Sequence, residues 1–192
     1  MSWDLPLAVD ICGKKYKIKK KCDYRMVLDC IAALNDNDLE MQNAVECALI
    51  IFYEAFNSVE DIYYLTEKEA EIAIREMFKI INYGEEEEAN QPQKPKLMDW
   101  EHDFKLIASS TSHILGYDIR TPKEYTHWWT LLGAYQEIGE STFSTVVSIR
   151  SKRIKGKKLE KYEEDFYREN RKLVDLPQTL TKEEEELLNS EW

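Results

Sequence analysis

The chain has 192 residues, 43% of them hydrophobic, with only 6 Gly and 5 Pro. That is enough apolar material for a sizeable core and too few turn formers for a β-sandwich, so helices are expected. The net charge of −11 repels a nucleic-acid duplex or an anionic membrane on average, so either partner would need a local basic patch.

Cys12, Cys22, Cys30 and Cys47 form no C-x-x-C pair, and no histidine lies at ligand spacing from them. They read as free thiols on or beside apolar stretches in a reducing compartment, not as a zinc site. The opening Met-Ser-Trp-Asp-Leu has neither a basic nor an apolar leader region. The longest apolar run, Ala48 to Phe52, is far too short to span a bilayer. A cytosolic protein is expected.

Residues 5–18 alternate around Cys12-Gly13-Lys14-Lys15, which predicts a short β-hairpin. Such a hairpin is marginal alone and must pack on something. Asp23 caps a predicted helix to Leu34, with Met26, Val27, Cys30, Ile31 and Leu34 on one stripe. Asn35 to Asp38 breaks it. A second helix is predicted from about Leu39 to Phe56. Thr66-x-x-Glu69 is a capping box that starts a third, which Gly84 closes. Residues 85–97 carry four consecutive Glu and two Pro and read as a linker.

After Asp99, the residues Trp100, Phe104, Ile107, Ala108, Thr111 and Leu115 fall at helical spacing and stop at Gly116. Thr121-Pro122-Lys123-Glu124 combines an N-cap, a first-position proline and a third-position acid, so a helix is predicted there. It would carry Tyr125, Trp128, Leu131, Leu132 and Tyr135. Ser141 is read as the cap of a shorter helix holding Phe143, Val146, Val147 and Ile149. A charged helix is predicted from Lys157 to Val174, and Thr181-x-x-Glu184 starts a last acidic one. The fold class is therefore mainly α, with a short N-terminal β-hairpin. The expected division is a hairpin plus three-helix domain at 1–84, a linker at 85–97, an aromatic-rich helical domain at 98–176 and an acidic tail helix at 177–192.

No catalytic, cofactor or metal site is assigned. His127 has no nucleophile or carboxylate in a recognisable motif beside it. Glu101-His102-Asp103 are adjacent, so their side chains diverge around a helix and do not converge on one ion. The runs Glu85–Glu88 and Glu183–Glu186 read as solvated faces. Two basic clusters stand against the acidic average: six lysines within Lys14–Lys21, and Arg150, Lys152, Arg153, Lys155, Lys157 and Lys158. They balance the glutamate runs or dock an acidic helix more readily than they bind nucleic acid. Two adjacent tryptophans cannot share one helix face, so Trp128 is expected in the core and Trp129 beside a neighbouring helix or a partner.

The order DWEHDFKLI, YDI, HWW and a final SIR resembles that of phage and prophage proteins of Gram-positive hosts, the phage gp-fifteen family. The matching positions are Asp99, Trp100, Asp103, Tyr117, Asp118, Ile119, His127, Trp128, Trp129, Ile149 and Arg150. The hairpin, DYRMVLDCIAAL and ALIIFY fit it as well, so the resemblance covers most of residues 5–155. The chain departs from it at Tyr117-Asp118-Ile119, where the family's usual order differs. The resemblance implies a tail assembly chaperone, cytosolic in the host, that binds the tape measure protein and helps recruit tail tube subunits. Self-association is a further expectation. Trp100, His127, Trp128, Trp129, Tyr135, Arg150 and Arg153 are the candidate partner-binding residues. The competing readings are a structural tail or virion component and a nucleic-acid-binding regulator.

Overall fold

The computed structural model describes residues 4–86 and 95–177. The predicted tail helix at 177–192 and most of the predicted linker lie outside these. Among the described residues the chain is mainly α, with nine helices and one two-stranded antiparallel hairpin.

The hairpin pairs β1 (Ala8–Ile11) with β2 (Lys14–Lys17). Cys12 and Gly13 both take positive φ, 53° and 83°, the geometry of a two-residue turn matched to the strand twist. Asp10 accepts the Gly13 N–H at 2.8 Å. Val9, Ile11, Tyr16 and Ile18 are buried. Tyr16 packs edge-on against Tyr53, with ring centroids 6.2 Å apart, and Phe56 joins them. This aromatic cluster is the support that an isolated hairpin lacks.

Helix α1 (Tyr24–Leu34) is capped by Asp23, whose side chain accepts the Arg25 N–H. It packs along α2 (Met41–Phe52), burying Met26, Val27 and Cys30 with Ala44, Ala48 and Leu49. Helix α2 stops at Phe52 because Tyr53 turns into an extended bridge with Ile18. A short helix, α3 (Val59–Tyr63), was not legible in the sequence. The Thr66 capping box starts α4 (Glu67–Ile81) as expected. Beyond it come α5 (Phe104–Leu115), α6 (Trp128–Gln136), α7 (Thr142–Ile154), α8 (Lys161–Glu169) and α9 (Arg171–Val174). The predicted helix 157–174 is thus interrupted at Asn170, whose side chain donates back to the Phe166 carbonyl.

The start signal at Thr121 does not start a helix. Thr121 to Glu124 forms a turn, and α6 begins at Trp128 with His127 as its N-cap. The cause is tertiary. Arg25 donates to the carbonyls of Ile119, Thr121 and Glu124 at 2.6, 3.0 and 3.0 Å. Tyr24 N–H donates to the Thr126 carbonyl, and Thr126 N–H donates to Asp23. These bonds hold the segment extended against local helix propensity.

The chain forms two compact units that are not contiguous in sequence. One falls within Met1–Gln93 and Thr111–Glu137, the other within Lys94–Ser110 and Ile138–Trp192. Helix α6 packs with α1, within the first of these units. The second unit has its own core of Val146, Ile149 and Val174, with Leu106, Leu159 and Phe166 packed around it.

Candidate partner-binding surface

His127 is buried and holds two bonds at once. Its Nδ1 accepts the Trp129 N–H at 3.0 Å, capping α6. Its Nε2 lies 3.1 Å from the Pro6 carbonyl, which only accepts. The two contacts therefore require the neutral ring with its proton on Nε2. Burial pushes the imidazole pKa down, while the Pro6 carbonyl and Asp23 pull it up.

Trp128 and Trp129 close the end of α4. A helix leaves its last four carbonyls without internal partners. Trp128 Nε1 donates to the Ile81 carbonyl at 2.9 Å, and Trp129 Nε1 donates to the Ile80 carbonyl at 2.8 Å. Trp128 is fully buried and Trp129 half-buried, in the order the sequence suggested. Tyr83 meets the Trp129 ring edge-on at 5.4 Å. Gly84 has a φ of +88°, and a Cβ there would lie 3.2 Å from Trp129 Cη2. Its conformation and the close indole both call for glycine.

In the second unit, Arg150 is buried with every donor engaged. It grips Asp103 at 2.6 and 2.9 Å and donates to the carbonyls of Leu97, Leu173 and Val174. A guanidinium has five N–H groups, and these five bonds use them all. Asp103 also accepts the Asp99 N–H at 3.0 Å. Arg153, one turn on, is exposed, pairs with Asp175 and lies 4.1 Å over the Tyr167 ring.

His127, Trp128 and Arg150 are therefore internal ties that leave a partner no surface, and the partner-binding expectation does not extend to them. Trp100, Trp129 and Tyr135 are half-buried, and Arg153 is exposed. Two structural residues carry more than the sequence suggested. Asp103, set aside with Glu101 and His102 as a false metal cluster, is the counterion of Arg150. Arg25, unremarked in its helix, organises a loop about a hundred positions away. Both signals depend on long-range pairing, which local spacing does not encode.

Among the described residues, no group of three His, Cys, Asp or Glu could hold a metal ion, and no helix is long and apolar enough to cross a membrane. Burial pushes the Cys22 and Cys30 thiols up to about 12, so neither offers a thiolate at neutral pH.

The family model described as Bacteriophage Gp15 protein matches residues 1–176. The chain belongs to that family, and it is a bacteriophage protein. Comparison with curated proteins and with solved structures finds no match.

Proposed function

We propose that the chain is a non-enzymatic phage tail assembly chaperone. It binds the tape measure protein and helps recruit tail tube subunits in the host cytoplasm. The observation that carries this reading is the family match over residues 1–176. The half-buried Trp100, Trp129 and Tyr135 and the exposed Arg153 are its proposed contact residues. Aromatic and Arg side chains are the usual anchors of protein interfaces. Covering apolar filament surface is favourable by roughly 25 cal/mol per Å², so many copies add up along one filament. The net charge of −11 keeps such a complex soluble.

The test is the content of purified virions. A chaperone is abundant in lysates of producing cells and missing from the finished particle. Retention in the particle at a structural copy number would replace this reading with that of a structural tail component.

A further inference from the structure

The first unit carries an apolar groove of about 720 Å³. Met41, Val45 and Leu49 of α2, Ile62 and Tyr63 of α3 and Ile74 of α4 wall it. Met41 is 75% exposed and Tyr63 65% exposed, so apolar surface stands open to water at the rim. Glu46 stands in the wall, its Oε1 taking bonds from Gln42 and Tyr63. The surrounding segment is strongly acidic. Residues 36–76 hold eleven Asp and Glu against Lys68 and Arg75, a net −9 of the chain's −11.

The second unit carries the complementary feature. Ile154, at the end of α7, is 52% exposed, and Tyr162, at the start of α8, is 66% exposed. The two helices are tied there by Lys152, whose Nζ lies 2.6 Å from Glu163. Residues 151–161 hold six cations against Glu160, a net +5. Lys155, Lys157, Lys158 and Lys161 are exposed and make no ion pair among the described residues.

We infer that the groove receives the α7–α8 corner of a second copy of this chain. Ile154 and Tyr162 enter the apolar groove, and the lysines around them face its acidic rim. Helix surface in an apolar groove is a standard recognition mode, and the charge supplies orientation. The contact is heterologous, joining two different surfaces, so each copy has one groove and one corner to offer. The inference is independent of the chaperone reading, because purified chain alone tests it.

The experiment is sedimentation velocity of the full chain over a concentration series, with two variants at exposed positions. Met41→Lys with Tyr63→Lys disables the groove. Ile154→Glu with Lys158→Glu disables the corner. The wild type associates with increasing concentration, and added salt weakens it by screening. Each variant alone loses association by roughly tenfold or more. An equimolar mixture of the two variants forms heterodimers and nothing larger, since one intact groove and one intact corner remain between them. That mixture also shows that both variants are folded. A wild type monomeric throughout, variants that associate like the wild type, or a mixture without heterodimers would each overturn the inference. So would loss of association on Lys14→Glu with Lys15→Glu, which would move the contact to the hairpin lysines.

Discussion

Arg150 reaches Asp103 across 47 positions of sequence and holds it with two bonds, at 2.6 and 2.9 Å, in a site closed to water. Three backbone carbonyls complete the arginine's shell. Removing one partner strands a buried charge, so Arg150→Met should destabilise the second unit by about 3–5 kcal/mol. Arg150→Lys should rescue little, because an ammonium cannot reproduce the fork. Arg150→Met with Asp103→Leu should recover part of the loss, since no lone charge remains. Urea unfolding followed by circular dichroism measures all three. A wild-type midpoint for Arg150→Met would refute the assignment.

Trp128 and Trp129 should separate in the same assay. Trp128→Ala removes a fully buried ring and should cost about 3–5 kcal/mol. Trp129→Phe keeps an aromatic beside Tyr83 but removes the shorter of the Ile80 carbonyl's two bonds, leaving the Tyr83 N–H at 3.3 Å, and should cost about 1 kcal/mol. Equal costs would show that the two indoles do not divide core and cap as described.

Gly84→Ala should destabilise by roughly 1–2 kcal/mol through its left-handed backbone alone, with a further penalty from Trp129. In the Trp129→Ala background the second part should vanish. An unchanged penalty in both backgrounds would remove the steric part of the explanation.

His127 makes stability pH-dependent with a definite sign. Its folded pKa lies below the ordinary value of 6.5, so between the two values the unfolded chain binds more protons. The stability it contributes is present above the unfolded pKa and is lost as pH falls through the window below it. As pH falls below 6.5 the wild type should lose stability more steeply than His127→Asn, which retains a capping side chain. The lowered carboxyl groups Glu69, Asp99, Asp118 and Glu163 lose their contributions only in a more acidic range. Parallel slopes for the two proteins would contradict the role of His127.

Much of the fold was legible because its signals are local. The caps at Asp23, Thr66 and Ser141 act within four residues, and each starts a helix where it was expected. The hairpin was legible from alternation and a turn. Thr121-Pro122-Lys123-Glu124 misled because its helix signal is equally local, whereas Arg25, Tyr24 and Asp23 bond that segment from far away in sequence. The candidate site divides in the same way. The aromatic-rich stretch supplied the candidate partner-binding residues, but which side chains face inward follows from the α4 terminus and from Asp103. Tyr162 read as part of the thin apolar side of a charged helix, with Leu159, Phe166 and Leu173, and a lone Ile154 in a basic run carries no periodic signal.

On the proposed function, this chain keeps a tape measure protein soluble. The most direct measurement is the soluble fraction of the cognate tape measure protein expressed with and without this chain. Co-expression should give a clear rise, reduced by alanine at Trp100, Tyr135 and Arg153 together. An unchanged soluble fraction, with this chain present in mature virions, would contradict it.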